Sequence, residues 1–185
     1  MHKLLSGLGS VCLTLVSLHA EQVRGLSLHI QKPAPGVVRL WLGDTGNATA
    51  TVALATRKGI VVVDTVGMPA VDRELRKVIA RELGRSDFTM LINTHEHADH
   101  TLGNEAYADC TIVAHEACGR GMKAQQAFLP DWIRFGKERI QSLERELAAN
   151  PEPAKAKGLQ EELTMTRLNL EAYDRVRLTL PTQTF

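Results

Sequence analysis

The sequence predicts an α/β layered domain. Three observations carry that expectation. Residues 36–63 read as strands separated by turn clusters, and residues 69–84 switch to helical spacing. Residues 88–93 and 111–114 then return to strand spacing on either side of a short helix. The 185 residues, 44% apolar and 23% charged, suit one soluble domain with a real core. Disordered, collagen-like and coiled-coil compositions are excluded.

The elements follow in order. Residues 1–20 carry one formal charge, Lys3, followed by an apolar run rich in Leu and Val. Fifteen uncharged residues fall short of a spanning helix of about 20. The stretch reads as a secretory signal peptide, with Ala20 as the last residue before cleavage. The expected location is periplasmic or secreted, with no stable membrane anchor after cleavage. Val37, Val38, Leu40 and Leu42 form a strand leading to the turn cluster Gly43-Asp44-Thr45-Gly46-Asn47. A β-branched strand at 49–56 follows, then the turn Arg57-Lys58-Gly59. Ile60-Val61-Val62-Val63 is continuously apolar, as expected of a strand buried on both faces.

Pro69 suits the first turn of a helix, and Val71, Leu75, Val78, Ile79 and Leu83 repeat at helical spacing. Gly84 supplies the stop. A strand at 88–93 leads through a short helix and a Gly103-Asn104 break to a strand at 111–114. The α/β part spans 21–127 and a helical hairpin 128–176. In the hairpin Trp132, Phe135, Ile140, Leu143 and Leu147 share one helical face. Asn150-Pro151-Glu152-Pro153 breaks the helix, and a second runs through Leu159, Leu163, Leu168, Tyr173 and Val176. Charges of both signs on the other faces predict a solvated amphipathic hairpin rather than a membrane-binding one.

Charge narrows the function. Lys and Arg number 22 against 21 Asp and Glu. Loss of the leader removes Lys3 and brings the balance to zero. A neutral chain with 4% aromatics is a poor nucleic-acid binder. Cys12 lies in the leader. Cys110 and Cys118 remain, as a disulfide or as two buried thiols.

The stretch Thr94-His95-Glu96-His97-Ala98-Asp99-His100 holds three of the seven histidines. It begins where the 88–93 strand ends, the edge where open α/β sheets place their sites. Two histidines two apart can face one point from an extended loop but not from a helix. Imidazole and carboxylate suit Zn²⁺ best, with iron or manganese as alternatives. Bound water would be acidified to a hydroxide near neutral pH. Four donors in six residues exceed the needs of one tetrahedral ion holding water, so two adjacent metals are expected.

His95-x-His97-x-Asp99-His100 after an apolar strand resembles the signature of the metallo-β-lactamase superfamily. Gly59-Ile60-Val61-Val62-Val63-Asp64-Thr65, Leu91-Ile92-Asn93-Thr94 and Thr101-Leu102-Gly103-Asn104 resemble its flanking segments. The resemblance covers roughly 35–115. It implies that His95 and His97 bind a first zinc and that Asp99 and His100 bind a second. It also implies that Asp99 steers the nucleophilic water and that Asp64 holds the metal loop by hydrogen bonds. His115 is expected to be structural, and Glu96 and Glu116 solvated or supporting.

The family's fold is an αββα sandwich of two similar halves, and its second half supplies three further metal ligands. Residues 116–185 contain no histidine. The expected architecture is therefore the N-terminal half of that sandwich with an inserted helical hairpin. The expected function is zinc-dependent hydrolysis of an ester, thioester or amide-like bond in a small molecule. The chain alone is expected to bind metal weakly and turn over slowly. A homodimer or a separate C-terminal half would cover the open sheet face. The alternative is a non-catalytic metal-binding or dimerising half-domain.

Overall fold

The computed structural model describes residues 19–44, 49–175 and 177–185. One eight-stranded mixed sheet organises the molecule, with its strands in chain order. Strands β1 (His19–Val23), β2 (Leu26–Ala34), β3 (Val37–Leu42), β4 (Ala50–Thr56) and β5 (Gly59–Val63) form an antiparallel meander. Strands β6 (Phe88–Ile92), β7 (Thr111–Ala114) and β8 (Gln183–Thr184) continue it in parallel. The switch from hairpins to parallel crossovers coincides with helix α1 (Pro69–Leu83), which carries the chain from β5 to β6.

Most of the predicted leader, with Cys12, lies outside the described residues, as do Thr45-Gly46-Asn47 of the turn cluster and Val176. The backbone of His19 and Ala20 already pairs with Ile30 and His29 in β1. A cut after Ala20 would thus fall inside a strand. Strands β1 and β2 are additions to the sequence reading. Their signal is the alternation of buried Leu26, Leu28 and Ile30 with Ser27 and His29.

The sheet is buried on one face. Val38, Leu40, Ala53, Ile60, Val62, Leu91 and Ile112 point into the main core. Val71, Leu75, Val78 and Ile79 of α1 meet them there, at helical spacing. Complete burial of such a side chain contributes about 1.5–3 kcal/mol. The opposite face carries Val61, Val63, Met90, Ile92 and Val113, all only half-buried. This corrects the expectation for β5. It is apolar on both faces, but among the described residues helices cover only one.

Pro69 opens α1 and Gly84 closes it in the left-handed conformation (φ 66°). The Gly103-Asn104 break is in fact part of a 3-10 helix, Leu102–Tyr107, with both residues buried. It follows the short α2 (Ala98–Thr101). Helix α3 (Glu116–Gln125) packs Cys118 and Met122 on Ala114. Cys110 and Cys118 are free thiols. Burial pushes the Cys110 thiol up to about 11 and raises that of Cys118.

Helices α4 (Leu129–Ala148) and α5 (Pro153–Asp174) form the hairpin. Leu143 meets Leu159 and Leu163 in a small core flanked by Ile140 and Leu147. The hairpin is less solvated than its charges suggest. Ala172, Met165 and Leu168 of α5 pack on the main core, and Ser27 donates to Glu161 at 2.9 Å. Phe135 does not share the packed face and is 54% exposed. Among the described residues, no helix is long and apolar enough to cross a membrane.

Asp72 braces the loop between β5 and α1. Its carboxylate accepts the N–H groups of Val66 (2.9 Å) and Met68 (3.0 Å). The side chain is 1% exposed, and burial raises its pKa to about 7 against the pull of those two donors. The folded state then holds a proton that the unfolded state releases near pH 4. Unfolding free energy should fall as pH rises from about 4 to about 7, approaching about 1.4 kcal/mol per pH unit for this group. Urea melts across that range should show this decline in the native protein and its loss in Asp72→Asn. Identical pH dependence in both would refute the assignment.

Candidate metal centre

Parallel pairing of β5 with β6 sets the site. Val63 lies opposite Ile92, so Asp64 comes to rest beside Asn93 and Thr94 at the carboxyl edge. Asp64 donates its N–H to the Ile92 carbonyl (2.8 Å) and then turns into a left-handed conformation (φ 56°). Asp tolerates that region better than most residues, though at some strain.

The 5%-exposed Asp64 carboxylate collects three donors. They are the Thr94 N–H (2.8 Å), the Thr94 hydroxyl (2.6 Å) and His100 Nδ1 (3.0 Å). A carboxylate can only accept here, so His100 carries its proton on Nδ1. Thr94 has one hydroxyl proton and gives it to Asp64. Its oxygen therefore accepts from His95 Nδ1, 2.9 Å away. By this chain of hydrogen bonds one acid fixes two imidazoles, leaving Nε2 of each as a lone pair.

The ring centroids of His95 and His100 are 4.2 Å apart, and those of His95 and His97 4.6 Å. His97 is exposed at the start of α2. Asp99 Oδ2 accepts the Thr49 hydroxyl at 2.6 Å and lies 3.5 Å from His100 Nε2. Two lone-pair atoms facing each other at that distance are satisfied by a shared cation. The donor set thus fits a metal ion. One ligand atom from each of Asp64, His95 and His100 lies within 4.8 Å of the others. Asp64 was expected to hold the loop by hydrogen bonds; it accepts three, and one of its oxygens also belongs to this donor group.

The loop is strapped from several sides. The His100 carbonyl accepts from Thr65 through N–H (3.1 Å) and hydroxyl (2.9 Å). Thr101 donates to the carbonyls of Glu96 (3.1 Å) and His97 (3.0 Å), and Gln125 donates to Glu96 (2.7 Å). Buried Asn93 and Asn104 exchange reciprocal amide bonds. Gly67 (φ 70°) lets the β5–α1 loop press against α2, since a Cβ there would lie 2.6 Å from the Ala98 carbonyl and Asp99 Cα. His115 is structural: its Nδ1 accepts the Ala117 N–H at 3.1 Å and caps α3. Glu116 is exposed and lies 3.6 Å from Arg120. Glu96 is half-buried and packs on Gly121 of α3.

The sequence reading missed Thr49, Thr65 and Thr94. Thr94 abuts the motif, but its role depends on Asp64, thirty residues earlier. No local pattern marks Thr49, which lies fifty residues before its partner.

With this geometry in place, the sequence profile of the metallo-beta-lactamase superfamily matches residues 43–171. The chain belongs to the metallo-β-lactamase superfamily. Two solved metallo-β-lactamases are similar to it. The one from Erythrobacter litoralis, with beta mercaptoethanol in its active site, is 17% identical with a TM-score of 0.45; the match covers 55% of this chain and 46% of that one. The one from Hirschia baltica is 20% identical with a TM-score of 0.43, covering 50% and 45%. The chain therefore spans less than half the length of these solved relatives. No curated protein matches it.

The hydrogen-bond chain yields a prediction. Thr94→Val removes the hydroxyl between Asp64 and His95 and frees the His95 ring. Zinc affinity should fall about 10- to 100-fold, by competition with a chelating dye. Thr94→Ser should retain it. Equal affinity in all three proteins would exclude the relay.

Proposed function

We propose that this chain carries the metal loop of an exported zinc-dependent hydrolase acting on an ester, thioester or amide-like bond of a small molecule. The observation that carries the reading is the gathering of His95 and His100, ring centroids 4.2 Å apart and Nε2 atoms free, around buried Asp64, with Asp99 Oδ2 3.5 Å from His100 Nε2. His95 and His97 would hold a first ion, and Asp99 and His100 a second. The imidazole-rich set favours zinc over iron or manganese. When bound, the ion supplies a Lewis acid and an acidified water.

The chain's own residues do the positioning. Asp64 and Thr94 hold the imidazoles in one tautomer. Thr49 steadies Asp99, which orients the attacking water and accepts its proton. The apolar leader supports export to the periplasm or beyond, and the neutral charge argues against nucleic acid as substrate. With these donors alone, affinity for the ion is modest and turnover slow.

One observation favours a second reading. The sheet face bearing Val61, Val63, Met90, Ile92 and Val113 is only half-covered. A non-catalytic metal-binding half-domain could pair through it with a second copy or with a separate C-terminal half.

Zinc titration followed by ester and thioester assays tests the proposal. The native chain should bind zinc, and His95→Ala and His100→Ala should each weaken binding at least about tenfold. Hydrolysis should require zinc and fall about 100-fold or more in Asp99→Asn. Zinc binding without hydrolysis, with a dimer in sedimentation, would support the second reading. Zinc binding indifferent to both histidines would defeat both readings.

A further inference from the structure

The hairpin builds a cavity against the metal loop. It has a volume of about 780 Å³, within the range of small-molecule sites. His97 and Asp99 line one end, while Phe128, Trp132, Phe135 and Tyr173 line the rest with their neighbours. The chain has eight aromatic residues, so half of them meet at this one cavity. They are also mutually arranged. Trp132 lies 5.5 Å from Tyr173 and stacks on Phe128 at 6.4 Å between centroids. Phe128 and Phe135 are 53% and 54% exposed, unusual for large apolar side chains.

Charge on the lining is confined. Arg139 is held by Glu162 at 2.7 Å and by Glu146 at 3.2 Å, which neutralises it. The acids Glu96 and Asp99 belong to the metal-loop end. Away from that loop the wall offers aromatic faces and the uncharged Thr166 and Asn169. Aromatic faces without a free cation recognise a flat, neutral group by stacking and burial and give no purchase to an anion.

We infer that the hairpin is a substrate-recognition device, binding an uncharged aromatic group whose scissile bond then reaches His97 and Asp99. This rests on the hydrolase reading of the metal loop and adds the substrate class: neutral aryl esters, thioesters or amides rather than phosphorylated or polyanionic compounds. The hairpin thereby acquires a task beyond solvated packing, and it explains why α4 keeps Trp132 and Phe135 on the side facing the loop.

Binding can be read without metal or turnover. The probe is N-phenyl-1-naphthylamine, a neutral diaryl amine whose fluorescence rises on apolar binding, titrated into metal-free protein. The native chain should bind it saturably. Trp132→Ala and Tyr173→Ala should each weaken binding at least about tenfold. Asn169→Trp, which fills the cavity and leaves the aromatic wall in place, should abolish it while circular dichroism stays native. Trp41→Phe, on the half-covered sheet face, should change nothing. Loss of binding in Trp41→Phe, or binding within twofold of native in both Trp132→Ala and Asn169→Trp, would overturn the inference. Zinc titration of the same variants separates this from the metal reading. Trp132→Ala should bind zinc as the native chain does, and absent zinc binding with intact probe binding would sink the hydrolase reading alone.

Discussion

The carboxylate of Asp64 is the constraint on which the candidate centre depends. It accepts three hydrogen bonds at the junction of β5 and α1, two from Thr94 and one from His100. Each bond is strengthened by the charge of its acceptor, which is itself buried. Together they join the end of β5 to the end of β6 and fix the proton on two imidazoles. Without that acid the histidines would still be neighbours in sequence, but neither ring would have a set orientation or a defined free nitrogen. The left-handed backbone at Asp64 is the local cost of aiming the side chain across the strand ends.

The wider architecture serves that junction. Helix α1 buries its apolar stripe against one sheet face, so the ends of β5 and β6 are held by a close-packed core. Asp72 locks the connecting loop from the helix side, and Gly67 allows the same loop to touch α2. The metal loop is therefore gripped on several sides by backbone carbonyls and amides. Rigidity of this kind is what a metal site needs before its ligands can act together.

Much of this was legible beforehand. The boundaries of α1, β6 and β7 follow from period changes and from Pro69 and Gly84, because local propensity and core burial agree there. The histidine loop was legible from spacing alone, and His115 was rightly set apart, since its Nδ1 caps α3. The failures have physical causes too. Strand β5 is apolar on both faces, and apolarity does not reveal which face a helix covers. Phe135 fits the helical stripe of α4 yet stays exposed, because α5 meets that helix along the line of Leu143 and Leu147.

Taken alone, the sequence determined the family, the α/β elements from β3 to β7 and a set of candidate metal donors. Those are properties of spacing and side-chain chemistry, which local patterns record. The tertiary structure decided how the donors are used. It brought Asp64 to His100 and Thr49 to Asp99 across 36 and 50 residues, and set the His100 tautomer through Asp64 and that of His95 through a threonine hydroxyl. It also gathered four aromatic side chains from the hairpin region beside the loop. Contacts between distant segments depend on how strands pair and helices pack, and no local pattern records that.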